Sequence, residues 1–435
     1  MYYYVYYAYK IVSWGDLMNN EAILEEVSAK PKRTNLKIAI IGIFMVILLG
    51  SYLVYSFNSK YMYNGKIANN LFVEDINISS ITKEEAINLI NEKYKPQTLS
   101  LSYNNDSFKI QPNDIDIKYN INEVVNDAYN YTKTDSYFEN VKRLFELKKT
   151  PKQFTLKTSF DEKKLDKTLE KMAEEINISP KDATLYISNN NFSTTSSRVG
   201  KEFNTEENKQ AIVNVINDKT YSDVNLKVNI IEPKVSTSMV KSVNSLLSEH
   251  TTSFNQKLEG RSKNIKVSSD RISDVLLMPG EVFSYNKQTG VRTISNGYFN
   301  APVIVNGKLE DAPGGGVCQT STTLYNAVLY SGLKINSVRN HSLTSAYAPR
   351  GKDAMVNDSG TDFKFSNPYN HPVYIKSIVN NGKITCQVYG NAADKPNVEI
   401  KLENFNMGAK TYRVFKDNSG KKIKTEYIAT SVYKK

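Results

Sequence analysis

The sequence predicts a mixed α+β protein. It consists of one N-terminal membrane-spanning helix, two repeated α+β modules, and a mostly β domain in which one main helix carries a cysteine. Three observations predict this organisation. An uncharged apolar run occupies residues 38–57. A weak repeat then recurs at the constant spacing that separates Leu101 from Leu185. Finally, a run of three glycines precedes Cys318 and a helical pattern of apolar residues.

The apolar run predicts a transmembrane helix over residues 36–58, because about 20 apolar residues are enough to cross a bilayer. Basic residues cluster just before it, at Lys30, Lys32, Arg33 and Lys37. The positive-inside rule therefore places residues 1–35 in the cytoplasm and the bulk of the chain outside the cell membrane. A cleaved signal peptide is the alternative. It is less favoured, because the run is longer than a typical h-region and no small-residue cleavage site follows.

The first 17 residues are rich in tyrosine and resemble neither a targeting peptide nor a folded element. Met18 begins a more ordinary polar stretch. We expect Met18 to be the start of the native protein, with Met1 as the alternative.

Charge and cysteine usage narrow the function classes. The net charge is +11, but it is spread along the chain without a dense basic block, which argues against nucleic acid as a partner. The chain has two cysteines, Cys318 and Cys386, too few for a disulfide scaffold. Cys386 alternates with polar neighbours in a pattern typical of a half-buried strand. A single bridge between the two cysteines is the alternative for both.

The repeat predicts two modules, 59–148 and 149–235, each containing a strand, an Asn-rich turn, a strand and a helix. Further helices are predicted before each copy, over 82–94 and 161–176. A polar connector, 236–251, follows, and a helix is predicted over residues 236–248. The corresponding positions are Leu101 and Leu185, Phe108 and Phe192, Ile115 and Val199, Tyr119 and Phe203, and Asn120 and Asn204.

The third domain, 252–392, combines short strand patterns with glycine turns. Its main helix follows the glycines, with Val317, Leu324, Ala327 and Val328 on one face. Residues 393–435 alternate charged with β-branched and aromatic residues, which predicts a β appendage packed on that domain. No chemistry is assigned to this appendage.

Cys318 is predicted at the N-terminus of that helix, where free amides and the helix dipole favour thiolate over thiol. The same amides are suited to stabilising an oxyanion. Glycines without side chains would let a substrate backbone approach the sulfur. The residues predicted to bind substrate or the oxyanion are Gly314, Gly315, Gly316, Gln319, Thr320, Ser321 and Tyr347.

His341 is the candidate general base, because the chain has only three histidines and this one follows the cysteine helix and a short strand. The alternative role for His341 is to cap a strand end. Arg339 is predicted on the same strand face as His341, where it would hold a carboxylate or an oxyanion, and its alternative is a surface charge. Asp353 is a candidate to orient the histidine and is otherwise a turn residue.

No metal or cofactor is predicted. The sequence has no histidine and cysteine cluster with metal-ligand spacing. The triple glycine is not followed by Gly-Lys-Ser/Thr, so a phosphate-binding loop is not indicated either.

Several ordered motifs together resemble the VanW domain family of bacterial cell-envelope proteins, over roughly residues 252–390. The preceding repeat is similar to the paired peptidoglycan-binding domains that often precede VanW domains. The motifs are PGEVFSYN (279–286), GY (297–298), GGGVCQTSTTLY (314–325), RNHS (339–342), GKDA (351–354) and DFKFSN (362–367).

Some VanW members are L,D-transpeptidases, so the resemblance implies that Cys318 forms a thioester with a peptidoglycan stem and makes 3-3 cross-links. It implies stem peptides and glycan as partners and a location facing the cell wall. Cys318 and His341 match the family motif. Two alternatives stay open: a non-catalytic wall-binding or scaffolding protein, and an L,D-carboxypeptidase in which water replaces the acceptor amine.

Overall fold

The computed structural model describes residues 33–188, 190–305 and 308–434. The predicted cytoplasmic segment lies almost entirely outside these residues. Within them, the chain is a mixed α+β protein with many small sheets, which confirms the predicted fold class. One described helix region, Leu36–Met62, is long and apolar enough to cross a membrane, as judged by length and composition.

The α-helices, named here in chain order, are as follows: α1 (Arg33–Phe57), α2 (Lys83–Lys93), α3 (Ile121–Asn130), α4 (Tyr137–Leu147), α5 (Glu162–Ile176), α6 (Thr205–Asn217), α7 (Thr237–Ser242), α8 (Glu259–Ile272), α9 (Tyr285–Thr289) and α10 (Val317–Tyr330).

The strands before the cysteine-bearing region are β1 (Leu71–Val73), β2 (Ile76–Asn77), β3 (Leu99–Tyr103), β4 (Asp106–Ile110), β5 (Lys118–Tyr119), β6 (Lys152–Phe154), β7 (Thr158–Ser159), β8 (Thr184–Ser188), β9 (Asn191–Thr195), β10 (Gly200–Phe203), β11 (Val224–Asn225) and β12 (Val228–Ile231). The later strands are β13 (Ser245–Ser253), β14 (Val275–Leu277), β15 (Val282–Ser284), β16 (Asn300–Val305), β17 (Lys308–Pro313), β18 (Lys334–Ser337), β19 (Lys364–Ser366), β20 (Val373–Asn380), β21 (Lys383–Gly390), β22 (Asn397–Phe405), β23 (Gly408–Lys416) and β24 (Lys422–Val432).

The chain divides into two compact units. One contains the described part of Met1–Gln97 together with Asp116–Asp161, and the other contains Thr98–Ile115 with the described part of Glu162–Lys435. In the first unit, β1 pairs with β2 and with β6, and helices α2 and α3 pack together. Thr82 opens α2 with a capping box, in which its hydroxyl accepts from the Glu85 amide at 3.2 Å.

The element order of helix, hairpin, short strand and helix occurs twice, once from α2 to α3 and once from α5 to α6. The first hairpin, β3–β4, lies in the second unit, where β3 pairs in parallel with β11. The contacts of the first repeat are therefore divided between the two units. The module boundaries at 59–148 and 149–235 stay predictions.

The cysteine-bearing region is built on a four-stranded antiparallel sheet with the order β13-β21-β20-β14. Helices α8 and α10 pack against this sheet. Buried apolar side chains fill the space between them, including Leu324 and Val328 of α10, and Val373 and Val388 of the sheet. The first turn of α10 is held against this core.

The predicted helix over 236–248 is wrong in its second half. Helix α7 ends at Ser242, and β13 begins at Ser245 as an edge strand of the four-stranded sheet. The residues that this strand buries include Ser248 and Thr252, whose hydroxyls are hydrogen-bonded. A strand with polar buried residues lacks the apolar alternation by which strands are recognised in a sequence. The sequence of β13 therefore predicts a polar connector instead of a strand.

The appendage forms a three-stranded antiparallel sheet, β22-β23-β24. Strand β22 packs against α10. Arg413 of β23 is buried and donates to the carbonyls of Leu329 and Leu333 at 3.1 and 2.8 Å, at the end of α10. The appendage thus holds the C-terminal end of α10, the helix that carries Cys318.

Candidate functional site

Helix α10 begins directly after the three glycines, and Cys318 is its second residue. Gly314 and Gly316 have φ angles of +96° and +108°, which disfavour any side chain. The Cβ directions of all three glycines point at protein atoms: at Gly315, for example, a Cβ would lie 2.7 Å from the Pro302 carbonyl oxygen. The glycines therefore let the loop pack closely on its neighbours. A role for these glycines in substrate approach to the sulfur stays a prediction.

The thiol of Cys318 lies beside the imidazole of His341, and this imidazole contacts the carboxylate of Asp353. The Cys318 sulfur is 3.3 Å from the carbonyl oxygen of Val356. The thiol and the imidazole of His341 each shift the pKa of the other, so the two groups interact. The imidazole Nδ1 is 2.7 Å from Oδ2 of Asp353, which leaves Nε2 for the thiol. The structure therefore brings together three of the predicted residues as a Cys-His-Asp arrangement.

The pKa shifts follow from these contacts. Burial alone would raise the pKa of the Cys318 thiol, but the hydrogen bond and charge of His341, the Val356 backbone and the Arg292 charge lower it overall. Burial would lower the pKa of His341, but its hydrogen bonds with Asp353 and Cys318 raise it to about 9. The two shifts act in the direction of a thiolate and an imidazolium.

Asp353 is itself held ionised. Burial would raise the pKa of this carboxyl, but hydrogen bonds from the ring and backbone of His341 and from Tyr433 lower it overall. The hydroxyl of Tyr433, which follows β24, donates to Oδ1 of Asp353, and the Gly351 amide donates to that hydroxyl at 2.7 Å. The appendage thus reaches the site, although the sequence analysis assigned it no chemistry.

Arg339 does not share a strand face with His341. Strand β18 ends at Ser337, so both residues lie in the following loop, and the Arg339 side chain is exposed. Its backbone carbonyl accepts from the Met355 amide at 2.7 Å. The cation that lowers the pKa of Cys318 is instead Arg292, which forms an ion pair with Asp358 and has a side chain only 7% exposed.

The side chains of Gln319, Thr320 and Ser321 are buried and bound to protein. Gln319 donates to the Ser253 carbonyl at 2.9 Å and accepts from Arg261 at 2.7 Å. Ser321 donates to the Ala354 carbonyl at 2.6 Å. The hydroxyl of Thr320 accepts from Ser268 at 2.8 Å. These buried hydrogen bonds hold α10 in place.

Tyr347 is the predicted binding residue that lies nearest the histidine. Its ring packs edge-on against the His341 ring, with 6.5 Å between centroids. Burial, and then the charge of Cys318, raises the pKa of the Tyr347 hydroxyl, so this group stays protonated as a hydrogen-bond donor. Tyr347 covers one side of the imidazole.

The two cysteines are both free. Cys386 lies in β21, opposite His250 of β13, and is fully buried. Burial raises the pKa of its thiol to about 12. The alternative of a bridge between the cysteines is therefore not what the structure contains. His371 lies in a loop 2.9 Å from the carboxylate of Asp394, in a pair separate from Cys318.

Arg292 and Tyr433 are the site residues that sequence reasoning missed. Arg292 precedes the cysteine by one β-hairpin, and Tyr433 lies in a segment that carried no recognisable motif. Neither residue lies in a local sequence pattern that indicates a function.

Comparison with known proteins identifies two domains. Residues 260–389 match the family model described as "VanW like protein", and residues 108–225 match the one described as "Putative peptidoglycan binding domain". The second match spans the predicted boundary between the two modules. No solved structure matches the chain.

Two curated relatives share part of the sequence. "Uncharacterized protein YoaR" of Bacillus subtilis (strain 168) is 39% identical over 160 residues, covering 37% of this chain and 53% of that protein. "Vancomycin B-type resistance protein VanW" of Enterococcus faecalis (strain ATCC 700802 / V583) is 28% identical over 165 residues, covering 36% of this chain and 59% of that protein. Each match thus spans little more than half of the relative.

Cys318, His341, Asp353 and Arg292 all lie inside the 260–389 match, whereas Tyr433 lies outside it. The order of the two matches is the order that the sequence motifs predicted. The chain therefore carries a VanW-like domain preceded by a domain of the peptidoglycan-binding family.

Proposed function

We propose that this protein is a peptidoglycan L,D-transpeptidase that uses Cys318 as its nucleophile. The observation that carries the proposal is the Cys318–His341–Asp353 arrangement at the start of α10. Its position in a VanW-like domain next to a domain of the peptidoglycan-binding family supports a wall substrate. A binding surface alone has no use for a thiol with a lowered pKa.

The resting state in this proposal is a thiolate paired with an imidazolium. The lowered pKa of Cys318 and the raised pKa of His341 support this state at neutral pH. The thiolate needs no separate deprotonation before attack, and the imidazolium is ready to act as a general acid. Asp353 holds the Nδ1 proton, which directs Nε2 of His341 towards the sulfur.

In the first half-reaction, the thiolate attacks the carbonyl carbon that joins the third stem residue to the terminal D-Ala of a donor tetrapeptide. A C–S bond forms, and the C–N bond then breaks as His341 gives its proton to the leaving amine. D-Ala departs. The amides of Val317 and Gln319 donate to the carbonyls of Gly314 and Gly316, so we assign the Cys318 amide as an oxyanion donor.

In the second half-reaction, the side-chain amine of diaminopimelate on a neighbouring stem attacks the thioester. His341, now neutral, takes the proton from this amine. The new C–N bond forms a 3-3 cross-link, and the C–S bond breaks to restore the thiolate. The same imidazole therefore serves as acid and then as base.

The apolar helix and the domain of the peptidoglycan-binding family support a location at the cell membrane, facing the wall. If Leu36–Met62 spans the membrane with the basic residues inside, the remaining chain faces the wall. A surface groove of about 460 Å³ lies at the β3–β4 hairpin and is lined partly by residues of the 108–225 match. Tyr103, Phe108 and Lys201 line it, and such aromatic and charged groups are suited to a glycan or stem peptide.

The test is mass spectrometry of muropeptides after incubation of the full-length protein, in detergent micelles, with disaccharide-tetrapeptide. The variants are Cys318→Ala and, as a matched control, Cys386→Ala, which removes the buried cysteine away from the site. We expect a 3-3 dimer and released D-Ala with the wild type and the control, and neither product with Cys318→Ala.

Other products would change the assignment. A trimmed tripeptide without dimer would mean that water accepts the acyl group. Unchanged tetrapeptide, with the protein folded and its thiol reduced, would contradict the enzyme and favour a wall-binding role.

A further inference from the structure

The segment after β24 contacts the His341 loop on both sides of the histidine. The Asn340 side-chain amide donates to the Val432 carbonyl at 2.7 Å. The Lys434 amide donates to the Ser342 carbonyl, also at 2.7 Å. Tyr433 lies between these two contacts and is 2% exposed. The segment therefore holds the loop that presents the histidine.

Tyr433 also holds the carboxylate that orients the histidine. Its hydroxyl donates to Oδ1 of Asp353, while Oδ2 of Asp353 accepts from the ring and the amide of His341, each at 2.7 Å. Rotation of the carboxylate would break all three hydrogen bonds. The Gly351 amide donates to the Tyr433 hydroxyl at 2.7 Å, which fixes the direction of the phenol.

We propose that Tyr433 is a positioning residue, which sets the Asp353 carboxylate and thereby the His341 imidazole against Cys318. This inference rests on the proposed function for its role in turnover. It makes the β22-β23-β24 sheet part of the reaction machinery, although this sheet lies outside the VanW-like match. Burial, and then the bond to Asp353, raises the pKa of Tyr433 to about 12, so the hydroxyl stays a donor at physiological pH.

The experiment compares Tyr433→Phe with the wild type in the full chain. The measurements are the pH dependence of Cys318 alkylation by iodoacetamide, kcat and KM for 3-3 dimer formation, and the circular dichroism spectrum. The matched control is Tyr427→Phe, because Tyr427 lies in β24, is 55% exposed and bonds to Thr430.

We expect Tyr433→Phe to retain the spectrum, to move the alkylation midpoint to higher pH, and to lower kcat about 10-fold or more with little change in KM, because misplaced catalytic groups slow the chemical step. The control should match the wild type. If Tyr433→Phe folds poorly, Asn340→Ala removes the side-chain hydrogen bonds to the Val432 and His341 carbonyls, leaves the Tyr433 ring in place, and should shift the midpoint in the same direction.

An alkylation profile that is unchanged in the folded variants would overturn the inference. Failure of the proposed function looks different: the wild type would make no dimer, yet the alkylation midpoint would still move in Tyr433→Phe. In that case Tyr433 positions the Cys-His-Asp groups for another reaction.

A second inference comes from the first unit, where α4 exposes large apolar side chains. Phe138 is 85% exposed and Phe145 is 53% exposed. Lys142 lies between them on the same face, since residues four and seven positions apart share one side of a helix. A stripe of aromatic and lysine residues is typical of helices at a membrane interface.

This stripe lies next to the end of the apolar helix. The Tyr137 hydroxyl donates to the Asn58 side chain at 3.0 Å, one residue after α1 ends. A cavity of about 460 Å³ is lined by Phe57 and Lys60 from the end of the apolar region, and by Phe145 and Lys148 from α4 and its C-cap. The exposed face thus continues from the candidate membrane span.

We propose that α4 lies in the headgroup region of the bilayer that α1 crosses. Phe138 and Phe145 would enter the boundary of the acyl chains, and Lys60 and Lys148 would contact anionic headgroups. The membrane is therefore the occupant of this otherwise unpartnered face.

The test places Phe138→Trp in a Trp14→Phe background and reconstitutes the full chain in phosphatidylcholine and phosphatidylglycerol vesicles, with or without bromine on the acyl chains. The control is Leu89→Trp, an exposed apolar position on α2. We expect blue-shifted emission and quenching by bromine for Phe138→Trp alone. Emission that bromine leaves unchanged at position 138 would overturn the proposal.

Discussion

A single oxygen of Asp353, Oδ2, accepts hydrogen bonds from both the backbone amide and the ring Nδ1 of His341, each at 2.7 Å. The two bonds fix the position of the histidine backbone and the rotation of its ring with one acceptor. His341 lies in a loop, so this carboxylate supplies the rigidity that a strand would otherwise provide. The orientation of the proposed acid-base therefore depends on Asp353.

The two thiols are predicted to differ in reactivity. Cys318 is half-buried with a lowered pKa, whereas Cys386 is fully buried with its pKa raised to about 12. Intact-mass analysis should find one iodoacetamide adduct on the native protein and two after denaturation. Cys318→Ala should take up none in the native state. Equal labelling of both thiols under native conditions would contradict the geometry.

The rate of dimer formation is predicted to fall as pH rises through about 9. His341 has a raised pKa, so its imidazolium is present below that value and is lost above it. The His341–Asp353 ion pair also contributes to folding stability, and this contribution changes with pH in the same direction. It is complete below the unfolded histidine pKa of about 6.5 and is lost as pH rises through about 9.

Asp353→Asn should move the alkaline limb to lower pH and reduce kcat about 100-fold, because the ring loses both its charge partner and its orientation. Asp394→Asn is the matched control, since Asp394 pairs with His371 away from the thiol. The pH–rate profiles of both variants check this prediction. A profile for Asp353→Asn that superimposes on that of the wild type would refute it.

Arg292→Met is predicted to raise the pKa of Cys318, and to raise it less than loss of the His341 contacts would; the pH dependence of Cys318 alkylation measures the change. The Arg292 charge is one of the influences that lower this pKa, although the His341 contacts act more strongly. The control, Arg339→Met, removes an exposed arginine close in sequence to His341 and should leave the alkylation midpoint unchanged. A shift in the Arg339 variant alone would restore the role that sequence proximity suggested.

Arg413→Met is predicted to destabilise the second unit by about 1–3 kcal/mol, because the carbonyls of Leu329 and Leu333 lose their buried donor. Arg413 is 1% exposed, and it bonds to Glu426 at 2.8 Å besides the carbonyls of Leu329, in the last turn of α10, and Leu333, which follows the helix. Urea denaturation of the full chain measures the loss. Lys416→Met breaks the exposed pair with Glu399 in the same sheet and should cost much less. Equal losses would show that burial does not matter here.

The fold class and the helix after the glycines could be derived from sequence, because glycine spacing and apolar periodicity are local signals. Arg292 and Tyr433 could not, since topology alone brings them to Asp353 and Cys318. Strand β13 was misassigned for a different reason. Its inward residues include serine and threonine, and a buried hydroxyl looks in sequence like a solvent-facing one.

Helix α10 shows a related effect. Its apolar face was recognisable, yet Thr320, Ser321, Thr322, Thr323 and Asn326 are buried as well. The Thr323 hydroxyl lies 2.8 Å from that of Thr252 in β13, and the Ala327 carbonyl accepts from Ser248 at 2.6 Å. Periodicity detects one buried face of a helix but not a second one made of polar groups.

These buried hydroxyls have a mechanical consequence. Apolar contacts tolerate small slips, because they have no preferred direction, whereas each hydrogen bond requires a particular distance and angle. A helix tied by hydroxyls to β13 and by apolar contacts to the core has one rotational and one axial setting. The placement of the sulfur at its first turn is thus determined several residues along the helix, by groups buried away from solvent.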